Sequence, residues 1–265
     1  MNIFIREMKA YRKSLISWSI GMLFMIVAGM GKYSSYVGSG QSINEILSKM
    51  PETLKAILGF GNFDVTKASG FYGMLFLYLL IMVTIHASNL GANIISKEER
   101  DKTTEFLMVK PVSRTGIITS KLLAALANVL ILNIVTLVLS IAIVGKYAKG
   151  EAVTGDILIL MAGMLILQVL FLFIGTGIAS ISKNPKISAS VTTTVLLVTF
   201  ILSIVIGMNS KLEGLKYLTP FKYFVAQNMM YGGGLDPVFV ILSFAIIAAL
   251  ARVTYVFYKK RDLNV

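Results

Sequence analysis

Residues 157–181 read ILILMAGMLILQVLFLFIGTGIASI, a run of 25 residues without one charged side chain. A helix of about 20 mostly apolar residues crosses the hydrocarbon core of a lipid bilayer. An open strand in the same place would leave backbone N–H and C=O groups without partners in lipid. This stretch therefore predicts a transmembrane α-helix.

The same pattern occurs six times along the chain. The predicted spans lie at residues 15–30, 71–95, 117–144, 157–181, 188–208 and 237–258. The composition agrees, because 56% of the 265 residues are hydrophobic and only 14% are charged, against about 25% charged in soluble domains. We predict an all-α integral membrane protein, with residues 1–265 forming a single transmembrane domain.

The basic residues predict the orientation. With the N-terminus inside, the inner segments hold 15 Lys and Arg residues and the longer outer loops hold 9. Cytoplasmic segments carry the excess of Lys and Arg, so both termini should be cytoplasmic. The net charge of +12 then reflects topology and contact with anionic membrane lipid, and nucleic acid is not an expected partner.

Three segments outside the spans carry patterns of their own. At the N-terminus Phe4, Met8 and Tyr11 recur at helical spacing beside basic residues, which predicts an amphipathic helix on the cytoplasmic leaflet; a basic anchor flanking the first span is the alternative. Apolar spacing also predicts outer-face helices at residues 41–60 and 211–232, the second interrupted at Pro220.

The sequence contains few residues or motifs that are typical of enzymes. The chain has no Cys, one His and no G-x-x-x-x-G-K-[ST] motif, so we expect no metal site, no nucleotide site and no enzyme activity. His86, with Asn89 on the same helix face, either lines a translocation route or bonds to other helices. The central parts of the spans contain no Asp or Glu, which argues against an ion-driven carrier.

The most informative stretch lies between the second and third spans. Residues 96–114 read SKEERDKTTEFLMVKPVSR, dense in both signs of charge and with a Pro that ends a helix. On the predicted topology this stretch is cytoplasmic and joined directly to two spans. It is typical of a docking element for a cytoplasmic partner, which would supply the energy.

Three motifs in this stretch carry a family resemblance: Glu98-Glu99-Arg100, Thr104-Glu105-Phe106-Leu107 and Lys110-Pro111-Val112-Ser113-Arg114. Together they resemble the signature of type 2 ABC transporter permeases, with Thr103 standing where the family often has Gly. The resemblance implies a coupling helix within residues 96–114 that contacts a cytoplasmic ATPase subunit. The residues expected to couple are Glu98, Glu99, Arg100, Thr104, Glu105, Phe106, Leu107, Pro111 and Arg114.

The resemblance also implies that two permeases, either two copies of this chain or this chain and a homologue, assemble with two ATPase subunits. ATP and Mg²⁺ would bind to the partner, and this chain would hold no cofactor. In the family the first and fifth spans line the route and the dimer contact. The residues expected along the route are Trp18, Met22, Met25, His86, Asn89, Ser190, Thr194 and Leu197.

The sequence therefore predicts the permease subunit of an ATP-driven exporter in the plasma membrane of a bacterial cell. Its Met-rich and aromatic interior suits an amphiphilic cargo, such as an antimicrobial peptide, an antibiotic or a lipid-like molecule. The alternatives are an efflux permease of the same family for sodium or another ion, a membrane immunity or scaffold protein that binds a toxin without transporting it, and a secondary carrier.

Overall fold

The computed structural model describes residues 2–38, 49–51, 54–55, 58–59, 63–103 and 112–260, and within these ranges it contains helices and no strand. The α-helices are α1 (Ile3–Gly38), α2 (Ala68–Arg100), α3 (Arg114–Tyr147), α4 (Thr154–Ile181), α5 (Ser188–Met208), α6 (Ala226–Tyr231) and α7 (Pro237–Lys260). Two 3₁₀ helices, Ser210–Leu218 and Pro220–Lys222, stand between α5 and α6. The predicted outer helix at residues 41–60 lies largely outside the described residues.

Six of these helices are long and apolar enough to cross a membrane: α1, α2, α3, α4, α5 and α7. This confirms the prediction of an all-helical, multi-pass membrane protein. Helices α1, α2 and α3 contain 36, 33 and 34 residues, or about 50 Å each at 1.5 Å per residue. Because the hydrocarbon core is about 30 Å thick, these three helices project beyond it.

The N-terminal region differs from the separate leaflet helix that the sequence predicts. Helix α1 runs without interruption from residue 3 through the first span, because neither Pro nor Gly occurs between Ile3 and Ile20. Phe4, Met8 and Tyr11 are partly buried and pack against a cluster of buried residues drawn mainly from α2 and α3. Their apolar face is thus covered in part by protein.

Helices α2 and α4 form the centre of the bundle. Among the 18 residues that form the apolar part of each span, 67% are buried in α2 and 61% in α4. The corresponding share is 17% in α1 and in α5, and 11% in α7. Helix α2 contacts α1, α3, α4 and α5, and α4 contacts α3, α5 and α7 in addition. The peripheral helices are therefore positioned by this central pair.

Two glycines bring α2 and α4 into backbone contact. A Cβ atom built on Gly91 would lie 2.2 Å from the carbonyl oxygen of Leu172, and one built on Gly175 would lie 2.4 Å from that of Ser88. No side chain other than hydrogen fits at either position. Close approach of this kind drives association in membranes, where lipid is as apolar as the helices and supplies no hydrophobic force between them.

The segment between α5 and α7 turns back into the bundle. Thr219 Oγ1 donates to the backbone oxygen of Thr199 at 2.7 Å, about 13 Å along α5 from its end at Met208. Phe221 packs against Phe171 and Phe200, with ring centroids 5.2 and 5.3 Å apart. Pro220 starts the short 3₁₀ helix of this segment, at the break that the sequence predicts.

Replacing Gly91 or Gly175 by Ala should destabilise the protein by about 1–3 kcal/mol, because the added methyl forces the two backbones apart. The matched control is Gly145→Ala. That glycine lies in α3 with no heavy atom near its built Cβ, so its replacement should be neutral or stabilise by up to about 1 kcal/mol. Thermal unfolding in detergent micelles measures the difference. Equal shifts in Tm for the three variants would contradict the packing argument.

Candidate functional site

Helix α2 ends in a tightly hydrogen-bonded turn just before the predicted coupling segment. The N–H of Thr103 donates to the backbone carbonyl oxygen of Glu98 at 2.8 Å, and the N–H of Lys102 donates to the backbone carbonyl oxygen of Glu99 at 3.3 Å. These two bonds define a Schellman motif. Its left-handed position is Lys102, with φ of 54°, so the residue that adopts the conformation favoured by Gly is Lys102 and not Thr103.

Helix α3 begins with an equally defined cap. Ser113 Oγ accepts from the N–H of Gly116 at 3.1 Å, the usual arrangement for an N-cap Ser. Arg114 Nη1 donates to the backbone oxygen of Lys259 at 2.9 Å, which joins the start of α3 to the end of α7. Both sides of residues 104–111 are therefore anchored to the bundle.

A cluster of five charged side chains lies beside the end of α2; we call it the ionic cluster. Its members are Arg6 and Glu7 of α1, Lys97 and Glu98 of α2, and Lys121 of α3. Three cations and two carboxylates leave it with one net positive charge. The cluster connects three helices at one end of the bundle.

Glu98 is the centre of the ionic cluster. Its Oε1 accepts from Arg6 Nη2 at 2.7 Å, and its Oε2 binds the ammonium of Lys121. Lys121 is fully buried, Glu98 is 6% exposed, and Lys121 also donates to the backbone oxygen of Ile94 at 2.6 Å. Charges this deeply buried are tolerated only when paired and hydrogen-bonded.

Glu7 extends the ionic cluster toward α1. Its Oε1 lies 2.5 Å from Arg6 Nη2, and its Oε2 lies 3.7 Å from Lys97 Nζ. Glu7 is fully buried, and Oε2 accepts no hydrogen bond from the described residues. Lys97 Nζ also stands 5.4 Å from the ring centroid of Tyr11, within cation–π range.

Glu7 and Lys121 are not among the site residues that the sequence predicts. A signal for each was present: Glu7 lies four residues from both Ile3 and Tyr11, and Lys121 lies four residues after Ile117. A charge inside an apolar helical stripe predicts a buried partner. The identity of that partner is a tertiary property, since Arg6 and Glu98 are 92 residues apart.

Four of the nine predicted coupling residues lie in the described part of the chain, and five lie outside it. Glu98 faces into the bundle, Glu99 is half-buried, and Arg100 is exposed and donates to Asn93 Oδ1 at 2.6 Å. Arg114 is exposed at the start of α3. The remaining ones lie outside the described residues: Thr104, Glu105, Phe106, Leu107 and Pro111.

The predicted route residues of α1 and α2 meet at one contact. The centroids of the Trp18 and His86 rings are 5.6 Å apart and the ring planes are inclined at 62°. His86 Nδ1 is buried without a hydrogen-bond partner among the described residues. Met22 is buried and Met25 half-buried nearby on α1. Trp18, Met22 and Met25 therefore lie along the side of α1 that faces α2.

The remaining route residues lie on α5 or face it. Asn89 Oδ1 accepts from Thr193 Oγ1 at 3.2 Å, which ties α2 to α5. Ser190, Thr194 and Leu197 are exposed on one face of α5. The structure thus joins His86 to α1 and Asn89 to α5, while the three α5 residues form a separate exposed face.

Comparison with known families decides the assignment. A family model described as "ABC-2 family transporter protein" matches residues 1–263. The chain belongs to the ABC-2 transporter family. A search of curated proteins gave no significant match. The family match covers nearly the whole chain and includes both the ionic cluster and the segment that follows α2.

Members of the ABC-2 permease family are the membrane components of transporters and normally work with an ATPase subunit. This agrees with the sequence prediction of an ABC permease. In this ABC-2 permease the charged groups of the ionic cluster are bound to one another within the chain. Their geometry is that of a junction between helices.

Replacing Glu98 by Gln should destabilise the ABC-2 permease by about 3–5 kcal/mol, because Lys121 is left charged and buried without its carboxylate. The double variant Glu98→Gln/Lys121→Met should recover part of that loss, since both charges are removed. SDS titration in mixed micelles measures the free energy of unfolding.

The control pair is Glu213 and Lys216, which are 3.1 Å apart at the surface. Glu213→Gln should cost less than about 1 kcal/mol. A loss for Glu98→Gln no larger than that of Glu213→Gln would show that the ionic cluster contributes nothing to stability.

Proposed function

We propose that this chain is the permease subunit of an ATP-driven exporter, with both termini in the cytoplasm of a bacterial cell. The observation that carries the proposal is the ionic cluster at the end of α2. It lies directly before the segment whose sequence resembles the coupling helix of the family. A separate ATPase subunit would bind ATP and Mg²⁺ and contact residues 104–111.

The ionic cluster gives the coupling segment a firm connection to the bundle. A displacement of the segment would act on the end of α2, and Glu98 would carry it to Arg6 of α1 and Lys121 of α3. Glu98 would therefore transmit motion between helices, a different role from the direct ATPase contact that the sequence suggests. Phe106 and Leu107 would supply the apolar contact with the ATPase.

The exposed face of α5 is the proposed contact with a second permease. Ser190, Thr194 and Leu197 lie there, next to further exposed apolar residues such as Val198 and Ile201. Helix α1 presents Ile16, Ile20 and Phe24 in the same way. These positions match the helices that the family uses for its route and its dimer contact.

An amphiphilic cargo suits the surroundings of His86. His86, Asn89 and Asn93 follow one face of α2, between the contacts that α2 makes with α1 and α5. Apolar side chains, Met22 and Met82 among them, border this polar line. A face that combines few polar groups with flexible thioethers can accommodate both parts of an amphiphile.

The double substitution Phe106→Ala/Leu107→Ala should abolish coupling. We expect loss of the co-purifying ATPase and at least about a tenfold fall in cargo-stimulated ATP hydrolysis, because an apolar anchor of this kind contributes 2 kcal/mol or more. The measurement is ATP hydrolysis in nanodiscs in the presence of an amphipathic cationic peptide, with NaCl as the comparison.

The matched control is Ile187→Ala, an exposed apolar residue between α4 and α5 at the same predicted side of the membrane. It should leave ATPase binding unchanged. Unaltered stimulation in the double variant would refute the coupling assignment, and stimulation by NaCl but not by the peptide would favour the ion-efflux alternative.

Cross-linking tests the second permease. Because the chain has no Cys, Leu197→Cys introduces the sole thiol. A short bismaleimide should then give a product of about twice the 28.9 kDa mass in native membranes. Ile241→Cys, on an exposed position of α7, is the control and should stay monomeric. Equal cross-linking at both positions would exclude α5 as the specific contact.

A further inference from the structure

A cavity of about 350 Å³ lies between α2, α5 and the returning segment that contains Pro220. This volume is within the range of small-molecule sites. The cavity follows α5 from Phe200 to Gly207, about 10 Å along the helix axis. The predicted route residues of α5, Ser190, Thr194 and Leu197, lie nearer the start of that helix, and none of them lines the cavity.

The two ends of the cavity differ in chemistry. Near Phe200 the wall is aromatic, because the Phe221 ring packs against it with centroids 5.3 Å apart, and Phe76 and Phe224 also line the cavity. At the Gly207 end stands the ammonium of Lys222, 3.2 Å from the position of a Cβ atom built on Gly207. Lys55 also lines the cavity. The lining thus combines a group of phenylalanine rings with an ammonium group near the end of α5.

Lys222 is half-buried and has no carboxylate within 4.0 Å among the described residues. Burial lowers the pKa of its ammonium, and the charge of Glu213, more than 4.0 Å away, offsets only part of that effect. A cation that loses water in this way is stabilised by an anion placed beside it. Lys222 is also partly exposed, so this side of the cavity is open at the surface of the described residues.

We propose that this cavity binds an anionic phospholipid, with an acyl chain among the phenylalanine rings and the phosphate at Lys222. This combination selects the occupant over others: a neutral lipid places no negative charge beside the ammonium, and a free phosphate leaves the phenylalanine rings without a partner. The site is independent of the coupling proposal, since it involves neither the ionic cluster nor residues 96–114.

Native mass spectrometry of the purified chain in a neutral detergent tests the proposal, with phosphatidylglycerol and phosphatidylcholine as probes. The wild type should retain phosphatidylglycerol in preference to phosphatidylcholine. Lys222→Gln should weaken phosphatidylglycerol binding about tenfold, the contribution of one hydrogen bond to a charged group. Lys222→Arg should restore it.

Two further variants separate this cavity from unspecific lipid. Lys211→Gln removes an exposed lysine near the end of α5 and should leave binding unchanged. Ser203→Phe fills the cavity, which Ser203 lines, and should reduce the binding of both lipids. Each variant is compared only where size-exclusion chromatography gives the wild-type profile, and the Lys222 series tests the proposal without the filled variant.

Three outcomes would overturn the proposal. One is equal retention of the two lipids by the wild type, and another is an equal loss in Lys211→Gln and Lys222→Gln. The third is displacement of phosphatidylglycerol by millimolar glycerol 3-phosphate, which carries the head group without chains. That result would assign Lys222 to a small phosphate site.

Discussion

Backbone contact between α2 and α4 is the constraint on which the other helices depend. In lipid, association of helices rests on close packing and hydrogen bonds, because burial of apolar surface between helices gains little there. Gly91 and Gly175 permit an approach that no other residue would allow. Each of the remaining spans then packs on one or both members of this pair.

The ionic cluster adds a second constraint at the end of the same helix. Carboxylates and ammonium groups at this depth cost free energy unless every charge has a partner. Satisfying them requires Arg6, Glu98 and Lys121 to be in register, so the three helices cannot slide past one another independently. Helix α2 is thus positioned by the glycine contact with α4 along its length and by the ion pairs of Glu98 at its end. That combination makes it suitable for carrying a movement from one side of the bundle to the other.

The sequence was sufficient for what depends on local composition. Hydropathy located all six spans, since each lies within a helix whose apolar run is close to or above the length needed to cross the hydrocarbon core. It could not reveal the full length of α1, because residues 3–14 are polar enough to resemble a surface helix. Their apolar face is covered only once α2 and α3 are assembled.

For the candidate site, too, one part could be predicted from the sequence and another could not. The motif in residues 96–114 could be read directly, whereas the direction of Glu98 could not. In a run of charged residues a carboxylate that faces solvent and one that faces a buried lysine look the same. Thr103 stands at the glycine position of the family signature, whereas the left-handed residue is Lys102, one position earlier. Only the hydrogen bonds at the helix end identify that residue.

Lys102 also determines how freely the chain can swivel where it leaves α2. A glycine at a left-handed position can exchange among several backbone conformations, whereas a lysine has few alternatives and pays a steric cost of about 1–2 kcal/mol for this one. The backbone at Lys102 is therefore strained, and its rotation is more restricted than that of a glycine. Under the proposed coupling, a displacement of the chain beyond Thr103 would act on α2 with less rotation at this residue than a glycine would allow.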